Sequence, residues 1–175
     1  MTLRSFAILL AGLIFGVSPT NPAHQQSNTK DRRPPGPTSL AICGPLEQMS
    51  SAQFELLLQT VRTAWLEGSQ ERATACFSAA AIFSTPPAPG LVGRDNLVRV
   101  FSGGPNRELP TRIEWHHLIF DPVRQIGAVE YTMKRRIPTH GVIIIKVSHG
   151  LISNWRQYAV ASDLTWDKFN GINNF

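Results

Sequence analysis

Apolar residues between positions 50 and 68 recur with the spacing of an α-helix. The residues on the shared face are Phe54, Leu57, Leu58, Val61 and Trp65. Ser50 and Gln53 have the three-residue separation of a capping box, and Gly68 can adopt the left-handed conformation that ends a helix. The pattern therefore predicts a first helix between Ser50 and Gly68.

The remaining pattern predicts two more helices and then a sheet. Helical spacing continues at 69–76 and returns at 94–101, with a short apolar strand at 80–84 between them. After Pro110 the segments become strand-like, at 112–120, 125–136, 142–147 and 151–160. Turns are expected at Asp121-Pro122, at 138–141 and at His149-Gly150. Helices followed by four antiparallel strands predict an α+β fold with the helices on one face of the sheet.

The N-terminal segment has the pattern of an export signal. Arg4 precedes twelve residues, 6–17, without a charged or strongly polar side chain, and Pro19 and Pro22 follow. We expect a signal peptide at 1–23, removed after Ala23, and a secreted or periplasmic protein. The alternative is an uncleaved N-terminal membrane anchor, which is the only circumstance in which we expect a membrane partner.

Residues 24–45 are expected to form a proline-rich disordered linker, and residues 46–175 to form the domain. The whole chain has a net charge of +5, but residues 41–175 hold 13 Lys and Arg against 11 Asp and Glu. Most of the positive excess therefore precedes the domain. We expect no nucleic-acid partner.

The two cysteines, Cys43 and Cys76, are expected to form a disulfide if the protein is exported. The alternative is a pair of buried free thiols. Two cysteines without nearby ligands do not make a zinc site. His116 and His117 are adjacent, so on a regular strand they would point to opposite faces and could not bind one metal together. We therefore expect no metal and no cofactor.

Several segments resemble the nuclear transport factor two-like superfamily, in particular its SnoaL-like branch. The similar segments are Trp65 to Gly68, Gly93 to Asn96, His149 to Tyr158, and Trp166 with Phe169. The resemblance runs from about Phe54 to Phe169. It implies a cystatin-like α+β cone, in which a curved mixed or antiparallel sheet wraps around N-terminal helices. It also implies an apolar pocket inside the cone and, in many members, a homodimer formed through the sheet.

Within that pocket, strand alternation predicts which side chains meet. Glu130 and Thr132 share one face of their strand, and Trp155 and Gln157 share one face of the last strand. We expect both pairs to line the pocket, together with Trp65, Phe83 and Trp115. For Trp65 and Trp115 the alternative is a purely structural place in the core.

Glu130 is the candidate general base or acid, because a carboxylate in an apolar pocket has a raised pKa. The alternative is a structural acid paired with a nearby base or amide. His117 is a second catalytic candidate, since one orientation of its strand would point it into the pocket.

The superfamily includes ketosteroid isomerases, polyketide cyclases and epoxide hydrolases. The resemblance disfavours epoxide hydrolysis, because Ala128 stands where those enzymes have an arginine and Gln157 where they have an acid. Two functions remain expected: binding of a small apolar ligand, with cofactor-free isomerase or cyclase chemistry, or a non-catalytic module that dimerises or binds a partner through its sheet.

Overall fold

The computed structural model describes Cys43 and residues 47–103 and 108–171. The predicted signal peptide and, apart from Cys43, the predicted linker up to residue 45 lie outside these residues. Within the described part of the chain, every helix is too short or too polar to cross a membrane.

The helices are α1 (Ser51–Leu66), α2 (Gln70–Ala75), α3 (Arg94–Phe101) and α4 (Trp166–Asn170). The capping box of α1 is confirmed, because the Ser50 hydroxyl accepts from the Gln53 amide and the Gln53 side chain accepts from the Ser50 amide. Ser69 precedes α2 without making a side-chain capping bond. The helical pattern at 94–101 is also confirmed, whereas α4 was not predicted.

The strands are β1 (Phe77–Ser84), β2 (Leu91–Val92), β3 (Arg112–Asp121), β4 (Ile126–Lys134), β5 (Thr139–Ser148) and β6 (Leu151–Ala161). Among the described residues they form a six-stranded sheet in the order β2-β1-β6-β5-β4-β3. The predicted antiparallel pairing of the last four strands is confirmed, and β1 adds a parallel pairing with β6. The predicted α+β fold with a mixed sheet is therefore confirmed.

The turn predicted at His149-Gly150 is present, whereas most of the turn predicted at 138–141 is not. His149 and Gly150 have φ angles of +50° and +74° and join β5 to β6 in a two-residue loop, as expected of a tight hairpin. The turn predicted at 138–141 is wrong beyond Pro138, because residues 139–141 pair with residues 159–161 as part of β5. Pairing with a neighbouring strand outweighs the local turn preference of that segment.

The helices α1, α2 and α3 pack on one face of the sheet, which we call the inner face. The phenyl rings of Phe54 and Phe120 stack with centroids 4.3 Å apart and join α1 to β3. Trp155 stacks on Phe83, with centroids 6.0 Å apart, at the junction of β6 and β1. The largest fully buried side chains are Trp65, Trp155, Tyr131, Phe54, Phe77 and Phe101.

Gln125 ties the start of α1 to the β3–β4 hairpin. Its side-chain amide accepts from the Met49 amide at 2.9 Å and donates to the Met49 carbonyl at 2.8 Å. Cys43 and Cys76 are joined by a disulfide with a Cα–Cα separation of 5.0 Å, which attaches the segment before α1 to the end of α2. Both links hold the first helix against the rest of the domain.

We predict that Gly127→Ala destabilises the domain by about 1–3 kcal/mol, the usual cost of overpacking. The added methyl group would lie 2.5 Å from Phe54 Cζ and 2.9 Å from the Ile119 carbonyl oxygen. Gly90→Ala is the control, because its methyl group would meet neighbours no closer than 3.5 Å. Urea unfolding measures both variants, and an equal loss of stability in the two would contradict the steric explanation.

Candidate functional site

The register of the sheet decides which predicted site residues share a face. Glu130 pairs with Val142, which pairs with Tyr158, whereas Gln157 pairs with Ile143. Cross-strand partners lie on the same face of a sheet. Glu130 is therefore on the face of Tyr158, opposite Gln157, and the prediction that Glu130 and Gln157 line one pocket is wrong. The alternation within each strand was correct, but the register between strands cannot be derived from alternation.

The inner face is filled by the residues that were expected to bind a ligand there. Trp65, Phe83 and Trp155 are buried in the core, with at most 6% of their surfaces exposed. Gln157 is also buried, and its amide donates to the Tyr131 hydroxyl at 2.6 Å. Burial raises the pKa of Tyr131 above its ordinary value. These side chains pack against one another in the core. For Trp65, a purely structural place in the core was the alternative to ligand binding.

A β-bulge in β3 changes the direction of the adjacent histidines. Trp115 pairs with Tyr131 and Leu118 pairs with Val129, so two residues of β3, His116 and His117, lie opposite a single position of β4. Trp115 keeps the inner direction and packs edge-on against Tyr131 with centroids 6.4 Å apart. Trp115 is half-buried there, which agrees with the alternative that it has a structural place in the core.

Both histidines contact the outer face of β4. His117 Nδ1 lies 2.6 Å from Glu130 Oε2, and His116 Nε2 lies 2.7 Å from the Thr132 hydroxyl oxygen. The prediction that the two rings point to opposite faces is wrong, because the bulge interrupts the alternation on which it rested. The two catalytic candidates, Glu130 and His117, are nevertheless brought into direct contact.

The bond from His116 to Thr132 is the first of a chain. The Thr132 hydroxyl lies 2.9 Å from His140 Nδ1, and His140 Nε2 lies 3.0 Å from the Leu164 carbonyl oxygen. Thr132 and His140 are 4% and 1% exposed, although both lie on the outer face. The turn predicted at 138–141 included His140, and no local pattern in the sequence connects His140 with Thr132.

Helix α4 covers this chain. The indole of Trp166 stacks on the imidazole of His116 with centroids 4.0 Å apart, and Phe169 stacks on His140 at 4.5 Å. A five-residue helix has too little apolar periodicity to be recognised. The available signal was the pair of aromatic residues three apart, which are close together on a helix.

A cavity of about 700 Å³ lies between the outer face and the segment leading into α4. We call it the outer groove. Its lining residues are Glu114, Trp115, His116, Thr132, Lys134, Pro138, His140, Asp163, Leu164, Thr165, Trp166 and Asp167. The groove thus combines the indole of Trp166 with carboxylates, an ammonium group and two imidazoles.

A second depression, of about 410 Å³, lies further along the outer face and is mostly apolar. We call it the outer patch, and its residues are Ile119, Phe120, Asp121, Ile126, Gly127, Ala128 and Ile144. Ile119, on the edge strand β3, is 71% exposed, which is a large exposure for an isoleucine in a strand. Nothing among the described residues covers this surface.

His116 lines the groove and has a displaced pKa. Burial lowers the pKa of His116 below its ordinary value of 6.5, and the nearby imidazoles of His117 and His140 act in the same direction. The carboxylates of Glu114 and Glu130 oppose this shift. Within the described residues, no three His, Cys, Asp or Glu side chains are grouped to hold a metal ion.

Solved structures share this architecture at low sequence identity. No protein-family model and no curated protein matches the sequence. A nuclear transport factor two-like protein of unknown function from Burkholderia xenovorans LB400 is 19% identical, with a TM-score of 0.55, and the match covers 66% of this chain and 90% of that one.

Two further matches have names that refer to enzymes. A putative ketosteroid isomerase from Kribbella flavida is 15% identical, with a TM-score of 0.51 over 62% of this chain and 78% of its own. An epoxide hydrolase of M. tuberculosis is 13% identical, with a TM-score of 0.52 over 59% of this chain and 80% of its own. Such identities establish a common fold and do not transfer an activity.

We predict that the domain loses stability as the pH falls below 6.5 and that part of this loss comes from His116. Folding lowers the pKa of His116, so the unfolded chain binds the proton more tightly than the folded chain does. The contribution of neutral His116 to the free energy of unfolding is therefore complete above the ordinary pKa. It is lost as the pH falls towards the pKa of the folded state. The titratable groups that line the groove with His116 or act on its pKa are Glu114, His117, Glu130, Lys134, His140, Asp163 and Asp167.

The measurement is urea unfolding of the wild type and of His116→Phe between about pH 7.5 and 5. Phenylalanine can still stack on Trp166 but cannot titrate. We expect the stability difference between the two proteins to shift in favour of the variant as the pH falls. Parallel pH curves would show that His116 does not contribute.

Proposed function

Because the chain has the nuclear transport factor two-like fold, we propose that this domain binds a small organic ligand in the outer groove and transfers a proton on it without a cofactor. The observation that carries the proposal is the groove itself, which His116 and His140 line; His117, which is bonded to Glu130, lies 6.5 Å from the groove residue Trp166 between ring centroids. The inner face is not the proposed site, since its aromatic side chains pack against one another. We further propose that the domain acts outside the cytoplasm, as its predicted signal peptide implies.

The size and lining of the groove suit a small molecule. Its volume of about 700 Å³ falls in the range of known ligand pockets. Trp166 and Leu164 supply apolar surface, and the polar side chains that line the groove can form hydrogen bonds that orient a ligand. The names of two solved structures with this fold refer to a ketosteroid isomerase and an epoxide hydrolase, and this supports chemistry on a small organic molecule.

The Glu130–His117 pair has the form of an oriented acid/base group. A carboxylate can only accept, so His117 Nδ1 donates to Glu130 and the lone pair of the neutral ring is on Nε2. Both side chains are partly exposed, at 28% for Glu130 and 38% for His117. Lys134 lines the groove and can balance negative charge that develops on a ligand when a proton leaves it.

We predict that small apolar ketones bind to the full chain and shift the indole N–H resonance of Trp166 in a ¹⁵N-resolved NMR titration. Thr165→Trp should weaken this binding by about tenfold or more, which is about 1.4 kcal/mol, because its indole would fill the groove. Thr165 makes no side-chain capping bond, so the substitution removes no capping interaction from α4.

The matched control is Val123→Trp, which adds the same ring at a position that is 82% exposed and outside the groove. This variant should bind the ketones as the wild type does. Ketones that shift the Trp155 indole and the Gln157 side-chain amide instead of Trp166 would place the ligand on the inner face and contradict the proposal.

A second candidate function is self-association through the outer patch. Ile119, Ile126 and Ile144 expose 71%, 40% and 41% of their surfaces on one face. Asp121 lies on the β3 side of this face and Lys146 on the β5 side, in the same row of the sheet. A second copy rotated about an axis along the strands would bring these opposite charges together. We therefore infer a homodimer whose subunits meet at the outer patch.

We predict that Ile119→Asp weakens the dimer at least about tenfold, because it buries a carboxylate among apolar side chains. Val123→Asp is the control, since it introduces the same charge on an exposed turn outside the patch. Sedimentation equilibrium measures the association of both variants and the wild type. A wild type that is monomeric at high micromolar concentration would reject this candidate function.

A further inference from the structure

The chain of hydrogen bonds below α4 allows one arrangement of protons when both imidazoles are neutral. A carbonyl oxygen only accepts, so His140 Nε2 donates to Leu164. His140 Nδ1 then accepts from the Thr132 hydroxyl, and the Thr132 oxygen accepts from His116 Nε2. The lone pair of neutral His116 is therefore on Nδ1.

The adjacent histidine has the opposite arrangement. His117 donates from Nδ1 to Glu130, so its neutral ring has the lone pair on Nε2. Two neighbouring residues of one bulge thus carry their ring protons on different nitrogens. The difference follows from the hydrogen-bond partners of the two rings. The Thr132 hydroxyl donates its hydrogen to His140, so His116 must donate to the Thr132 oxygen from Nε2. The partner of His117 is a carboxylate, which accepts from Nδ1.

Packing holds the His116 ring in place. One ring face stacks on Trp166 with an interplanar angle of 8°, and Nε2 is bonded to Thr132. Thr132 is in turn held by His140, which stacks on Phe169. A proton acceptor needs this kind of fixed orientation relative to its ligand.

We propose that His116 is the proton acceptor of the outer groove, acting through Nδ1, with Thr132 and His140 as positioning residues. In the proton transfer, a C–H bond of a bound ketone breaks beside its carbonyl and its electron pair remains on the ligand as an enolate. The proton forms a bond to His116 Nδ1, and its return to another ligand atom completes an isomerisation. This inference rests on the proposed function, because it requires a ligand in the groove.

The electrostatics of His116 suit this role. Burial holds its pKa below the ordinary value, so the ring is neutral and able to accept a proton at neutral pH. The carboxylates of Glu114 and Glu130 favour the imidazolium that forms, and Lys134 lines the same groove where the enolate charge would develop. The imidazoles of His117 and His140 oppose the imidazolium, which favours return of the proton to the ligand.

The test is the position of the ring protons, measured by long-range ¹⁵N NMR on the full chain, followed by acylation with diethyl pyrocarbonate. We expect His116 to hold its proton on Nε2 and His117 to hold its proton on Nδ1. We expect the reagent to acylate His116 at Nδ1 with a pH midpoint below 6.5, and His140 to resist because it is 1% exposed. His149, on the exposed β5–β6 turn, is the internal reference for reagent strength.

Variants of Thr132 test whether its hydrogen bond to His116, rather than solvent exposure alone, decides which ring nitrogen of His116 reacts. Thr132→Val removes the hydroxyl, so the preference of the reagent for Nδ1 of His116 should fall about five- to tenfold, the ratio that one ordinary hydrogen bond controls. Thr132→Ser keeps the hydroxyl and should restore the preference. An Nδ1-protonated His116, or equal ring selectivity in all three proteins, would overturn the inference.

The outcome also distinguishes this inference from the proposed function. If the ketones bind in the groove while His116 reacts at Nε2, the assignment of His116 is wrong and the groove remains the ligand site. If His116 reacts at Nδ1 while no ketone binds, the proposed function fails although the proton arrangement is as described.

Discussion

The packing of α1 and its neighbouring helices against the inner face determines on which side of the sheet this domain has room for a ligand. Trp65, Trp155 and Tyr131 are among the largest fully buried side chains, and they fill the concave side of the sheet. Close packing of this kind leaves little room for a ligand. The polar side chains His116, Glu130, Thr132 and His140 lie on the outer face, where Thr132 and His140 are buried and Phe169 of α4 stacks on His140.

The bulge at His116 and His117 gives this outer face its character. In a regular strand one of the two imidazoles would have entered the core, where it would have needed a partner. The extra residue lets both rings reach β4, one to a hydroxyl and the other to a carboxylate. A single backbone irregularity therefore brings two adjacent imidazoles to the outer face, and bulges commonly redirect side chains in this way.

Much of the fold could be predicted because its signals are local. The capping box of Ser50 and Gln53, the helix at 94–101 and the His149-Gly150 hairpin each depend on residues close together in the sequence. The shared face predicted for Glu130 and Thr132 was also correct, since alternation is a property of one strand. The resemblance to a known superfamily supplied the curvature of the sheet, which no local signal contained.

The amino-acid sequence was sufficient to establish α1, α2, α3, the four C-terminal strands and the residue types available for acid/base chemistry, because these depend on periodicity and local hydrogen bonding. Which of those residues meet was decided by strand register, by the bulge and by the docking of α4. These depend on contacts between distant parts of the chain, for which one-dimensional patterns contain no unique solution. That is the physical reason why Glu130 was identified as a candidate from its sequence position, whereas its separation from Gln157 and its contact with His117 became visible only in the folded chain.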